Sequence, residues 1–305
     1  MKLGLLTAAF PDTPLTEVAD WAGANGFSAL EVACWPRADA AARRYAGVSH
    51  IDVAALSDGE AKELVEDLAG RGIEISGLGY YPNPLDPDPK VRSGALAHLR
   101  VLIGGAAKLG VPVVNTFVGA DAAKPLGENI AAAREFLPDL VSLARDSGVK
   151  LAIENCPMIF SQDEWPGGHN LFYAPATWRE VFGWFDDDTL GLNLDPSHLV
   201  WQMIDIERVV REFGSRLHHV HAKDLEIDRE GLYERGIMSA GIGWQVPRLP
   251  GLGEVRWDRF LAALYRVGYD GCVVIEHEDR DFEGSDELVK AGFLLARNTV
   301  GPYVV

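Results

Sequence analysis

The sequence predicts one α/β domain over residues 1–305, built as a closed (β/α)8 barrel with long loops after its second, fifth and seventh strands. Short apolar strands and amphipathic helices alternate eight times, which is the number of units in such a barrel. An open doubly wound sheet usually has fewer strands and a glycine-rich first turn. Here the first turn, AAFPDTP, has no G-x-G-x-x-G motif, and no segment has the composition of a linker.

The first half of the chain supplies four strand–helix units. The predicted strands are KLGLLTAAF (2–10), SALEVAC (28–34), IEISGLGYY (73–81) and VPVVNTFVG (111–119). Their helices are LTEVADWAGANG (15–26), SDGEAKELVEDLAGRG (57–72), KVRSGALAHLRVLIGGAAKLG (90–110) and LGENIAAAREFLPDLVSLARDSG (126–148). Ser57 followed by Glu60 predicts a capping box at the start of the second helix, which Gly72 ends.

The second half repeats the pattern with longer connections. The strands are KLAIENC (150–156), LGLNLDPSH (190–198), LHHVHAKD (217–224) and GCVVIEHED (271–279). The helices are ATWREVFGWF (176–185), DIERVVREFG (205–214), WDRFLAALYRVG (257–268) and DELVKAGFLLARN (286–298). The long segments after strands two, five and seven leave the carboxyl ends of strands, where barrels build their active sites. Loops of this length are rarely without function in a compact fold.

The amino-acid composition limits which partners the protein can bind and in which cellular compartment it is expected. The net charge of −17 disfavours contact with phosphate backbones, so we expect no nucleic-acid partner. No apolar run approaches the roughly 18 residues of a membrane span, and the amino-terminal apolar segment reads as a first strand rather than a signal peptide. Three scattered cysteines predict no disulfide framework and fit a reducing compartment. We therefore expect a cytoplasmic protein that does not bind membranes.

Polar residues interrupt four consecutive apolar strands near their carboxyl ends. A strand buried under helices should be almost continuously apolar, and a carboxylate there costs several kcal/mol unless it is paired or coordinated. The residues concerned are Glu154 on strand five, Asp195 on strand six with His198 just past its end, His219, His221 and Lys223 on strand seven, and Glu276 on strand eight. Because parallel strands end at the same rim, these side chains should converge.

Carboxylates that share a small volume need a cation. Three carboxylates and one neutral imidazole form a mixed oxygen and nitrogen site that suits Mn²⁺, Co²⁺ or Mg²⁺. The predicted ligand set contains no cysteine thiolate, the ligand that would favour a structural zinc site. The strand ends therefore predict one divalent metal ion.

At these residues the sequence resembles the xylose isomerase-like barrel superfamily, and within it the sugar phosphate isomerase/epimerase group that includes ketose 3-epimerases. The matching segments are AIEN (152–155), LNLDPSHL (192–199), HVHAKD (219–224) and GLGEVRWDRFLAALYRVGYDGCVVIEHED (251–279). They cover most of the C-terminal half, whereas the N-terminal half agrees only in its alternation of strands and helices.

The resemblance implies a divalent metal, most often Mn²⁺ with Co²⁺, Mg²⁺ or Zn²⁺ as alternatives, held by Glu154, Asp195, His221 and Glu276. His198 matches a position that orients substrate. A metal that chelates a carbonyl and its adjacent hydroxyl makes the neighbouring C–H more acidic and stabilises the enediolate. Glu154 and Glu276 are then expected to act as the acid/base pair of an isomerase or epimerase.

Other residues are candidates for substrate contact, each with a purely structural alternative. His219 either supports a ligand or packs as a strand histidine, and Arg248 either binds hydroxyls or anions or is a surface arginine. The remaining candidates are His169 in a possible lid over residues 163–173, and Glu31 and Trp35 at the second strand. Lys223 and Asp224 are expected to form a strand-end pair that braces the mouth, with a direct catalytic role for Lys223 as the alternative. Cys156 is in phase with Glu154, but the sequence offers no partner that would activate its thiolate.

Several functions remain open at this point. The first is a metal-dependent sugar isomerase or epimerase acting on a small sugar, in a homodimer or homotetramer. The second is a lyase on the same fold, either an inosose-type dehydratase or an enzyme that eliminates from a 3-keto-glycoside, because abstraction next to a carbonyl begins both reactions. An abasic-site endonuclease is disfavoured by the net charge, and a barrel that only binds is disfavoured because all four ligand positions are filled.

Overall fold

The computed structural model describes residues 1–36, 47–157, 168–239, 241 and 243–304. Parts of the predicted loops after strands two and five, residues 37–46 and 158–167, lie outside the described residues. The predicted lid over 163–173 is therefore described only from residue 168 onward.

Eight parallel strands close into a barrel, which confirms the predicted fold class. In order around the barrel they are β1 (Lys2–Leu6), β2 (Ala29–Ala33), β3 (Glu74–Gly79), β4 (Val113–Thr116), β5 (Lys150–Glu154), β6 (Leu190–Leu194), β7 (Leu217–Ala222) and β10 (Cys272–Ile275). The last strand closes the barrel by pairing with the first, in a register that runs from Lys2 opposite Cys272 to Leu5 opposite Ile275.

The eight predicted helices are present around the barrel, and two short helices, Ser197–Val200 and Arg229–Arg235, were not predicted. The first of them takes the place of the end predicted for strand six, which stops at Leu194. In chain order the helices are α1 (Leu15–Ala24), α2 (Asp58–Gly70), α3 (Pro89–Leu109), α4 (Leu126–Asp146), α5 (Pro175–Phe182), α6 (Ser197–Val200), α7 (Ile206–Phe213), α8 (Arg229–Arg235), α9 (Trp257–Arg266) and α10 (Asp286–Val300). The predicted capping box is present on α2, because the Ser57 hydroxyl accepts from the Glu60 amide and the Glu60 carboxylate accepts from the Ser57 amide. Within the described part of the chain, no helix is both long enough and apolar enough to cross a bilayer.

The long connection after β7 contains secondary structure that the sequence analysis did not identify. It forms an antiparallel hairpin of β8 (Asp224–Ile227) and β9 (Gln245–Arg248), with α8 between the two strands. Asp224 anchors it, because this fully buried carboxylate accepts from the amides of Leu225, Gly251 and Val255 and from the indole of Trp257. The predicted bracing role at the end of the seventh strand thus has a structural counterpart in Asp224.

Candidate metal centre and active site

Three of the four predicted metal ligands meet at the carboxyl end of the barrel. Glu154 is the last residue of β5, His221 lies on β7 and Glu276 directly follows β10, and all three are buried. His221 Nδ1 lies 3.1 Å from Glu276 Oε2 and 3.9 Å from Glu154 Oε1. One ligand atom from each residue falls within 4.8 Å of the other two, which is compact enough to share one cation.

Asp195, the fourth predicted ligand, is joined to this cluster by Lys223 and His198. Its Oδ2 lies 3.0 Å from Lys223 Nζ and 3.1 Å from His198 Nε2. Lys223 Nζ also lies 2.8 Å from Glu276 Oε2, and His198 Nε2 lies 3.4 Å from Glu154 Oε1. The sequence-predicted residues at the ends of β5, β6, β7 and β10 are therefore brought together.

The donor set suits a hard or borderline divalent ion. Among the described residues, Asp195 Oδ2 and His221 Nδ1 are buried and have no hydrogen bond of acceptable geometry, although charged groups lie about 3 Å away. A buried lone pair without a hydrogen bond costs free energy that coordination recovers. Carboxylate oxygens and one imidazole nitrogen match the preferences of Mn²⁺, Co²⁺ or Zn²⁺.

Asn155 holds the backbone of Asp195 in place. Its Nδ2 donates to the Asp195 carbonyl at 2.9 Å, and its Oδ1 accepts from the Asp195 amide at 2.7 Å. The Ser197 amide donates to Asp195 Oδ1 at 2.8 Å, so only Oδ2 points to the cluster. Sequence reasoning assigned no role to Asn155, whose only signal was its place directly after Glu154.

The two predicted acid/base carboxylates have different electrostatic surroundings. Burial raises the pKa of the Glu154 carboxyl, and the charge of Glu276 raises it further. Burial also acts to raise the pKa of Glu276, but Lys223 and His221 outweigh it and lower the value to about 2. Two neighbouring carboxyls whose pKa values are driven apart are typical of acid/base pairs.

Glu31 contacts the opposite nitrogen of the His221 ring from Glu276. It is fully buried, and its Oε2 lies 2.7 Å from His221 Nε2. The Tyr81 hydroxyl donates to its other carboxylate oxygen. The sequence offered Glu31 as a substrate contact or as a buried, hydrogen-bonded residue. In the structure both of its carboxylate oxygens contact protein groups, which favours the second role.

His219 is buried, and its two hydrogen-bond partners are neutral, with the Glu31 carboxylate further away at 3.8 Å. Its Nδ1 lies 3.1 Å from Asn193 Oδ1, and its Nε2 lies 3.1 Å from Ser76 Oγ. Burial lowers the pKa of His219 to about 4, so the ring is neutral at pH 7. Of its two predicted roles, these contacts favour support of neighbouring residues over contact with substrate.

Trp35 and Arg248, two further residues predicted to bind substrate, both contact other side chains of the protein. Trp35 is buried with its ring centroid 5.8 Å from that of Tyr81. Arg248, on β9, lies 2.7 Å from Asp281 and 3.3 Å from Asp279, so carboxylates of the protein already engage its guanidinium.

Asn170, in the described part of the segment between β5 and α5, contacts the end of β5. His169 is half-buried there and precedes Asn170, whose Nδ2 donates to the carbonyls of Glu154 and Cys156, each at 2.8 Å. Cys156 lies near the cluster as well, since one ligand atom each of Glu154, Cys156 and His198 falls within 4.8 Å of the others.

The structure is a closed parallel barrel with a buried cluster of acidic and histidine side chains at the carboxyl ends of its strands, and this cluster could hold a metal ion. The chain belongs to the xylose isomerase-like TIM barrel family, whose model matches residues 19–298. It is 29% identical over 317 residues to the uncharacterized protein YfiH of Bacillus subtilis, covering 92% of this chain and 93% of that protein. It is 24% identical over 149 residues to the inosose dehydratase of Clostridium perfringens, covering 47% and 46% of the two chains.

Solved structures share the same fold. The D-psicose 3-epimerase of Clostridium cellulolyticum, solved with D-tagatose, superposes with a TM-score of 0.71 at 19% identity, over 100% of this chain and 99% of that one. The IOLI protein, solved with a bound zinc atom, has a TM-score of 0.70 at 18% identity, over 99% of both chains. Sugar epimerases and a dehydratase are thus among the proteins that this chain is similar to.

Proposed function

We propose that this protein is a divalent-metal-dependent sugar isomerase or epimerase, in which Glu154, Asp195, His221 and Glu276 hold the ion. The observation that carries the proposal is the convergence of these buried side chains from four consecutive barrel strands. Membership of the xylose isomerase-like family and the fold shared with a ketose 3-epimerase support a sugar or sugar derivative as substrate.

Glu154 and Glu276 act as the proton-transfer pair. They reach the cluster from β5 and from the end of β10, so a substrate between them presents opposite faces of one carbon to the two carboxylates. One carboxylate removes the proton next to the carbonyl, and the other returns a proton on the opposite face in an epimerase. In an isomerase the proton returns to the neighbouring carbon.

A metal ion held by these residues would supply Lewis acidity that makes the C–H next to the substrate carbonyl more acidic. Manganese is our first choice because the predicted ligands are mostly oxygen, with cobalt, magnesium and zinc as alternatives. His198, which lies 3.4 Å from Glu154 and 3.1 Å from Asp195, orients a substrate hydroxyl at the rim of the cluster.

A lyase is the second candidate function, of the inosose dehydratase type or eliminating from a 3-keto-glycoside. The observation that favours it is Lys223, whose buried ammonium lies 2.8 Å from Glu276 and 3.0 Å from Asp195. An ammonium beside the base is placed to donate a proton to a leaving oxygen after the C–H bond breaks. The partial match to an inosose dehydratase is consistent with this reaction.

One experiment tests the function and separates the two reactions. The Mn²⁺-loaded protein is incubated in D₂O with ketoses, inososes and 3-keto-glycosides, and the products are followed by NMR. Deuterium next to the carbonyl with inverted configuration supports an epimerase, and an aldose product supports an isomerase. An enone, a dehydrated product or a released aglycone supports a lyase.

Substitutions of single carboxylates test which residues carry out the proton transfer. Glu154→Gln and Glu276→Gln should each abolish turnover, whereas Glu74→Gln should not, because Glu74 begins β3 at the opposite end of the barrel. A wild-type protein that binds no divalent metal would contradict the proposal. The cytoplasmic location and the homo-oligomeric state remain predictions of the sequence.

A further inference from the structure

We propose that Glu31 is a positioning residue for the metal site: through its hydrogen bond to His221, it fixes which ring nitrogen faces the ligand cluster and thereby strengthens metal binding. The inference rests on the proposed function, because it concerns the metal that Glu154, Asp195, His221 and Glu276 are proposed to hold. It assigns Glu31 a role other than contact with substrate.

The His221 ring lies between two carboxylates. Its Nε2 lies 2.7 Å from Glu31 Oε2 and its Nδ1 lies 3.1 Å from Glu276 Oε2. A neutral imidazole carries one N–H, and the hydrogen bond made by one nitrogen decides which nitrogen is free to coordinate. His221 Nε2 also lies 3.0 Å from Asn193 Nδ2 and 3.2 Å from the Tyr81 hydroxyl, but Glu31, at the shortest of the three distances, is the charged acceptor among them. Glu31 therefore favours the proton on Nε2 and leaves the Nδ1 lone pair for the metal.

The surroundings of Glu31 are shaped for a fixed carboxylate. Its other oxygen accepts from the Tyr81 hydroxyl, which in turn lies 3.2 Å from Asn193 Nδ2. Position 79 is glycine on the neighbouring strand, and a Cβ there would lie 2.5 Å from Glu31 Oε1. Burying a carboxylate costs several kcal/mol unless partners compensate for the charge. Because an apolar side chain would fill the space without this cost, we infer that the charge of Glu31 has a specific role.

A separate cation site is the rival explanation, because ligand atoms of Glu31, His219 and His221 also lie within 4.8 Å of one another. The hydrogen bonds argue against it. His221 Nε2 is engaged by Glu31, and His219 Nδ1 lies 3.1 Å from the Asn193 side chain. These contacts therefore make Glu31 a support for His221 rather than part of a second ligand set.

The test compares wild type with Glu31→Gln, which keeps the size of the side chain and removes its charge. Affinities for Mn²⁺ and Zn²⁺ are measured by competition with a chelating indicator. We expect binding about 10- to 100-fold weaker in the variant, with one metal per chain in both proteins. Glu74→Gln, at the other end of the barrel, serves as the matched control and should bind as wild type does.

Two further measurements keep the inference open to refutation if Glu31→Gln folds poorly. Glu31→Asp keeps the charge but withdraws it from His221, and should also weaken binding. In the Zn²⁺-loaded wild type, ¹⁵N NMR should show the His221 proton on Nε2 and the metal on Nδ1.

The outcomes separate this inference from the proposed function. Wild-type affinity in Glu31→Gln, or a His221 proton on Nδ1, would overturn the role of Glu31 while leaving the metal site intact. A second metal that is lost in the variant would favour the rival site and overturn the inference. Wild-type protein that binds neither Mn²⁺ nor Zn²⁺ would overturn the proposed function itself and this inference with it.

Discussion

Replacing Lys223 by methionine should destabilise the protein strongly. The ammonium is almost fully buried and lies 3.0 Å from Asp195, 2.8 Å from Glu276 and 3.0 Å from Glu278. Methionine keeps much of the volume and removes the charge, so it leaves three acidic side chains without their shared cation. Lys223 is thus the compensating positive charge of the ligand cluster.

Breaking a buried ion pair by removing one partner costs about 3–5 kcal/mol, because the remaining charge stays buried. For a domain larger than 250 residues, that cost lowers the melting temperature by roughly 5–10 °C. A divalent cation compensates the same carboxylates. Added Mn²⁺ should therefore raise the melting temperature of Lys223→Met by more than it raises that of wild type.

The assay is thermal unfolding followed by circular dichroism, first in EDTA and then with excess Mn²⁺. Lys150→Met is the matched control, because Lys150 pairs with Asp188 at 2.6 Å on the surface, where both side chains are more than a third exposed. An exposed pair contributes less than about 1 kcal/mol. If Lys223→Met melts within about 2 °C of wild type in EDTA, a difference of under about 1 kcal/mol, the electrostatic reasoning is wrong.

The fold could be predicted because its evidence is local and repeated. Each strand–helix unit has its own hydrophobic periodicity in the sequence. Eight such units in one chain favour a closed barrel over an open sheet. The hairpin β8–β9 was not identified, because four-residue strands such as Asp224–Ile227 are too short for a period of two to stand out. Asp224, which anchors that hairpin, was recognised only as a strand-end residue.

Convergence of the candidate ligands could be predicted from topology, whereas their contacts could not. Parallel strands bring Glu154 and Glu276 to the same rim whatever their side-chain geometry. The hydrogen bond between Glu31 and His221 joins residues 190 positions apart in the chain. Nothing in the segment SALEVAC shows that the Glu31 carboxylate contacts His221 instead of facing the opening of the barrel. Likewise, the period of two along β7 predicts that Lys223 faces the same side as His221. It does not show that the Lys223 ammonium contacts three carboxylates.

Three further changes test the support around the site. Gly79→Ala should lower both stability and metal affinity, because the new Cβ would lie 2.5 Å from Glu31 Oε1, and unchanged Mn²⁺ binding would contradict this. Burial lowers the pKa of His218 to about 4, so the unfolded chain takes up a proton below pH 6.5 that the folded protein does not. Stability should therefore fall as the pH drops from about 6.5 to 4, and His218→Gln should show a smaller fall in urea unfolding. Asp224→Asn replaces one acceptor oxygen by an NH₂ group, which turns two of the four hydrogen bonds at this buried side chain into donor–donor contacts. We expect a loss of about 3 kcal/mol in the urea free energy of unfolding, whereas the surface change Asp258→Asn should cost less than about 1 kcal/mol, and equal midpoints for the two variants would show that Asp224 does not anchor the insertion.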